Sequence, residues 1–224
     1  MRHIRGTILM SLLCLAGALL NIALNILFAG VIALPLYMDT VFTISVTLAG
    51  GLFWGILCGA LTNLIGHTIL FWGWAGYLFI LCNVATAVIT AGFVRFFPRE
   101  LSLSPHAAVI AADTPARSRR LSIVMNRMVV IILLSFCLCI AMSVLGGSIA
   151  AFIQALIRPA ADGQIHNPAS ATLSPIISRQ NLPVILTEIL SRIPVNVIDR
   201  LVSAFGGYGI ALAGSKIFLC GRGA

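Results

Sequence analysis

The chain has 224 residues, 60% of them hydrophobic and only 9% charged, with a formal net charge of +8. A soluble domain carries about 25% charged residues, so this composition excludes a water-facing globule and leaves room for one membrane domain without a soluble enzymatic one. Thirteen of the fourteen basic residues are Arg, and they cluster in the gaps between apolar runs, where basic residues set membrane orientation rather than bind nucleic acid.

A membrane crossing needs about 20 mostly apolar residues. The first span is expected over residues 7–34. Its start resembles a signal peptide, but the apolar stretch Ile8–Leu34 exceeds an ordinary signal core of about 7–15 residues. Leu13, directly before Cys14, is not the small residue that lipoprotein cleavage requires, so the segment reads as an uncleaved span. Asp39 then opens an apolar run too long for one helix. Cuts near Phe53–Gly55 and Gly73–Gly76 give spans over 39–53, 55–72 and 75–96. A Pro/Ser/Ala-rich basic linker, 97–124, precedes the fifth span at 125–157. The segment 158–193 reads as an extracellular loop. Within it LPVILTEILSRI, 182–193, carries Glu188 and Arg192 at i,i+4 and reads either as an interfacial helix ended by Pro194 or as part of one kinked last helix. The sixth span is expected over 195–218.

The fold expected is therefore an all-α integral membrane protein, one domain over 1–224, with six transmembrane helices and both termini cytoplasmic. That orientation places ten basic residues inside and four outside or at the outer edge: Arg158, Arg179, Arg192 and Arg200. The bias satisfies the positive-inside rule in the cytoplasmic membrane.

Small residues let helices approach closely in lipid. Three rows repeat every four residues: Gly51, Gly55, Gly59; Cys139, Ser143, Gly147, Ala151; and Ser203, Gly207, Ala211, Ser215. Ala16, Ala23 and Gly30, seven apart, form a looser face on the first span. Such rows serve internal packing, or one face docks a partner subunit. The six cysteines show no zinc spacing and read as small packing residues.

The stretch DTVFTISVTLAGGLFWGILCGALTNLI, 39–65, combines an Asp opening the second span, a small-residue run, Gly50–Gly51, Gly55 to Gly59, and Leu61-Thr62-Asn63. The ending PVNVIDRLVSAFGGYGIAL moves from polar to apolar. In these features the chain resembles the substrate-binding S components of energy-coupling factor (ECF) vitamin transporters, over most of 7–97 and 183–218. The resemblance implies a binder of a vitamin or similar small molecule, working with a transmembrane coupling subunit and cytoplasmic ATPases. Many such proteins meet the coupling subunit through Ala-xxx-Ala in the middle of span one; here the match, Ala29 to Ala33, lies toward its outer end.

Polar residues inside spans face the protein interior and are functional candidates. On this topology Tyr37, Asp39, His67, Trp72, Tyr77, Asn83, Gln154, Asn196, Asp199 and Arg200 gather in the outer half, with Asn63 near the middle and Trp74, Thr43 and Ser203 beside them. Aromatic faces with polar edges suit a flat, polar-rimmed ligand. Each has a plainer role. Trp72, Trp74 and Tyr77 sit where interface anchors belong. Asn63 and Asn83 serve equally as bonds between helices. Asp199 suits an early helix turn, from which Arg200 snorkels outward. On the binding reading, Arg200→Ala weakens ligand binding more than expression. The four outer Arg residues favour a ligand with a carboxylate or phosphate.

No catalytic motif or metal-ligand spacing occurs, and no cofactor is expected. Gly209–Lys216 has the wrong order for a phosphate loop and lies in an apolar helix. The expected function is a membrane binding subunit for micronutrient uptake, powered by other chains. A stand-alone membrane sensor or receptor input domain is the alternative, and an intramembrane enzyme ranks last.

Overall fold

The computed structural model describes residues 2–32, 34, 36–70, 74–103, 116–157 and 183–220. These are almost wholly helical, with no strand among the described residues. α1 is Arg2–Asn25 and runs on into a π-helical turn, Ile26–Val31. α2 is Val41–Gly50 and α3 is Leu52–Leu70. A 3-10 turn, Trp74–Phe79, leads into α4, Ile80–Phe96. α5 is Ala116–Ile157 and α6 is Val184–Cys220. Four stretches are long and apolar enough to cross a membrane: Gly6–Val31, Leu52–Ile69, Ala75–Phe96 and Ser122–Leu156. They are compatible with a multi-pass membrane protein.

Two boundaries differ from the sequence reading, and a third, left open there, is decided. The run expected to span at 39–53 forms a helix of only 10 residues. At 1.5 Å per residue α2 is about 15 Å long, half a hydrocarbon core. It stops because Gly51 takes φ 90, a left-handed conformation that a side chain rarely tolerates and that turns the chain directly into α3. The linker expected at 97–124 is shorter, since helix has already begun at Ala116. Of the two readings left open for 182–193, the one that joins it to the last helix holds: Val184–Cys220 is continuous through Pro194. Its Glu188 and Arg192 are buried against α5 and the α1–α2 connection, so the segment is held by the bundle rather than by an interface.

Short α2 is the axis of the bundle. Six of its first seven residues, Val41 and Thr43 to Thr47, are buried, because α1, α3, α4 and α6 surround it. Neighbours alternate in direction. Asn21 and Gly17 of α1 meet Phe42 and Val46 of α2, an antiparallel register. Gly55 and Gly59 of α3 meet Ala87 and Asn83 of α4, also antiparallel. α5 and α6 form a long antiparallel pair through Ser143–Asn196 and Gly147–Ile189. One apolar cluster joins Ile44 with Ile131, Leu134 and Leu138 of α5 and Ala204 and Tyr208 of α6. A smaller one joins Cys14 and Ala18 of α1, Val46 of α2 and Cys58 of α3.

The small rows work at these seams. A Cβ on Gly147 would lie 2.8 Å from backbone atoms of Ile189, and one on Gly207 would lie 2.7 Å from the Val41 carbonyl oxygen. Gly55 abuts Thr47 and Ala87. Ala16, Ala23 and Gly30 behave differently: all three are exposed on the outside of the bundle, while Cys14, Gly17, Ala18 and Asn21 turn inward.

Candidate functional site

The polar side chains of α6 lie along one face. Glu188, Arg192, Asn196 and Arg200 follow each other at four-residue steps, with Asp199 and Ser203 alongside, and all are buried. Opposite them stand the α1–α2 connection, the start of α4 and residues 143–154 of α5.

The lower part of this face is a clamp. Asp199 accepts a 2.8 Å hydrogen bond from the Met38 N–H, with the Tyr37 N–H also directed at its carboxylate. Two successive N–H groups converge because Met38 adopts φ 48. Such a left-handed residue costs about 1–3 kcal/mol, offset here by the anion cradle it makes. Arg200 lies 2.8 Å from Asp199 and 3.4 Å from Asp39, and also donates to the Thr40 hydroxyl. Asp199 is fully buried, whereas 26% of the Asp39 side chain reaches the surface. The adjacent charges thus tie the α1–α2 connection to α6. Two ions buried in an apolar bundle persist because each is paired and hydrogen-bonded.

The upper part is looser. Arg192 donates to the Tyr37 hydroxyl at 3.2 Å and packs its guanidinium 5.7 Å from the Phe79 ring centre. Its Glu188 partner is 3.7 Å away. Gln154 donates to Glu188 at 2.6 Å, and Asn196 donates to Ser143 at 2.9 Å. Gly146 and Cys82 stand against Arg192 from α5 and α4. Burial raises the Tyr37 phenol above its ordinary range, partly offset by the Arg192 charge, so Tyr37 is a neutral hydroxyl here.

Among the sequence candidates, Tyr37, Asp39, Gln154, Asn196, Asp199 and Arg200 therefore meet at one place. His67 and Tyr77 form a second group: their rings stack edge-on at 5.7 Å, and Tyr77 shares a 3.0 Å hydrogen bond with Thr68. The His67 ring sits on Gly76, where a Cβ would collide with it. Asn63 and Asn83 lie in the α3–α4 seam. Asn63 bonds back to the Gly59 carbonyl at 3.4 Å, while the Asn83 amide finds no partner for either end among the described residues. Trp72 lies outside the described residues.

Sequence reasoning missed Arg192, Glu188, Thr40, Phe79 and Cys82. The first two were legible in one signal, the four-residue repeat from Glu188 to Arg200, once the segment is read as a single helix. It also missed Asn21, which donates to both Thr43 and Thr62 at 3.1 Å and accepts from the Phe42 N–H at 2.9 Å.

Chemically, the cluster offers donors, acceptors and aromatic faces. No group of three potential metal ligands occurs among the described residues. No protein-family model, curated protein or solved structure matches the chain.

Proposed function

We propose that the chain is a six-span protein of the cytoplasmic membrane, with both termini inside, that binds a small micronutrient for uptake. A separate coupling subunit and cytoplasmic ATPases supply the energy, as the resemblance to ECF S components implies. The observation carrying this reading is the concentration of buried charged groups, Glu188, Arg192, Asp199 and Arg200, in one place, with Arg192 Nε and Nη2 lacking hydrogen-bond partners. In apolar surroundings an unpartnered polar group costs about 1–3 kcal/mol, and a function that uses the group accounts for its retention. On this topology the short α2 does not cross alone; the α1–α2 connection dips between α1, α4 and α6 and closes the outer end. The exposed Ala16, Ala23 and Gly30 face of α1 is the docking face for the coupling subunit.

Purification from native membranes tests this directly. Co-purifying ATPases and a membrane coupling protein, together with a bound small molecule seen by mass spectrometry, are the expected result. A bound molecule without those subunits points to a stand-alone sensor. Termini labelled on opposite membrane faces overturn the topology.

A further inference from the structure

We infer that the molecule held beside Arg192 is uncharged or singly cationic, not a carboxylate or phosphate, and that Arg192 rather than Arg200 is the guanidinium it meets. This rests on the binding reading above and names its ligand class.

The charges decide it. Among the described residues of the cluster, three carboxylates, Asp39, Glu188 and Asp199, face two guanidiniums, Arg192 and Arg200. The cluster therefore holds no surplus positive charge, although a count of outer Arg residues suggests one. Arg200 is taken: two acids and the Thr40 hydroxyl occupy its terminal nitrogens. Arg192 is not. Its Nε and Nη2 are both buried without a hydrogen-bond partner, whereas on Arg200 only the Nε is, and Glu188 stands off at 3.7 Å, beyond hydrogen-bond distance.

An entering anion would reach Arg192 only beside Glu188, in a setting where like charges repel strongly. An uncharged amide, lactam or ureide meets no such barrier. Its carbonyl accepts from the Arg192 Nε–H and its N–H donates toward Glu188, whose Oε1 already accepts from Gln154. The ring of such a molecule has the Phe79 face and the Tyr37 phenol close to the same guanidinium.

The test uses the full chain in lipid nanodiscs and matched probes that share a ring but differ in charge: nicotinamide and nicotinate, riboflavin and flavin mononucleotide, biotin amide and biotin. Thermal melting and calorimetry read binding. The expected result is at least one pair whose uncharged member binds about tenfold or more tightly than its anionic partner. Arg192→Gln and Arg192→Lys then both lose that binding, the lysine variant because it keeps the charge but lacks Nε–H. The inference is overturned if an anionic member binds as well or better, or if Arg192→Lys binds like the parent. A panel without any binder, with nothing co-purified, overturns the binding reading together with this one. Anion preference overturns the charge assignment alone.

Discussion

Two buried asparagines contrast within one bundle. Asn21 sits where α1, α2 and α3 meet, and every hydrogen bond assigned to it has good length: two hydroxyls accept from it and one backbone N–H donates to it. Asn83 sits in the α3–α4 seam, equally buried, and its amide touches no partner among the described residues. The same contrast separates Arg200, locked by two acids, from Arg192, held loosely by one. Burial alone therefore does not mark function. A satisfied polar side chain organises the fold, and an unsatisfied one is held at a cost that only something outside the chain repays.

The largest effect that tests this contrast is expected at the clamp. Arg200→Ala leaves Asp199 buried without its cation, which costs about 3–5 kcal/mol. Detergent melting curves and yield of folded protein should collapse, and Asp199→Ala should do the same. The clamp thus shifts the expected effect of Arg200→Ala from binding to folding. A variant that folds normally and merely binds less would remove the distinction between the two arginines.

Asn21→Ala comes next. It strands the Phe42 N–H and removes the link between two hydroxyls, for a loss of about 1–2 kcal/mol. Asn83→Leu should behave in the opposite way. With no bond to lose, its melting temperature should stay level or rise, within about 0.5 kcal/mol of the parent, while ligand binding falls. Equal destabilisation of the two variants would show that the asparagines do the same job. The smallest effect on folding is expected for Ala23→Leu, on the exposed face of α1. Its melting should not change, and co-purification with a coupling subunit should be lost. Retained co-purification would move the docking face elsewhere.

Much of the fold was legible in sequence because lipid demands long apolar runs. The six expected apolar runs are helical among the described residues, four of them long and apolar enough to cross a membrane, and Gly55, Gly59, Gly147 and Gly207 of the small-residue rows lie at helix contacts. Two local events were not legible. Gly50-Gly51 is one of several glycine-rich points in its run, and only the φ of Gly51 reveals that α2 ends there. Pro194 ordinarily stops a helix, yet here neighbouring contacts carry α6 through it. That second event hid half of the site. On the interfacial alternative for 182–193, Glu188 and Arg192 are an exposed pair of little energetic worth, and only the single-helix alternative aligns them with Asn196 and Arg200. The site's lower half was visible because Asp199 and Arg200 interrupt an apolar run, an expense that lipid makes conspicuous. Asn21 escaped notice because a satisfied and an unsatisfied asparagine look alike in sequence.

Pro194 has a mechanical consequence. It withholds the amide proton that would close onto the Leu190 carbonyl, and its ring crowds that oxygen. The joint so made falls between Arg192 and Asn196, so Arg192 and the Asp199–Arg200 pair ride on separate arms of one rod. The lower arm is bolted by Asp199 to the turn at Met38. The upper arm is gripped through Ile189 by Gly147 of α5, a strut of 42 residues, about 63 Å long at 1.5 Å per residue. Any force on Arg192 acts on a lever whose fulcrum is two residues away, and the contact at Gly147 passes the tilt to α5.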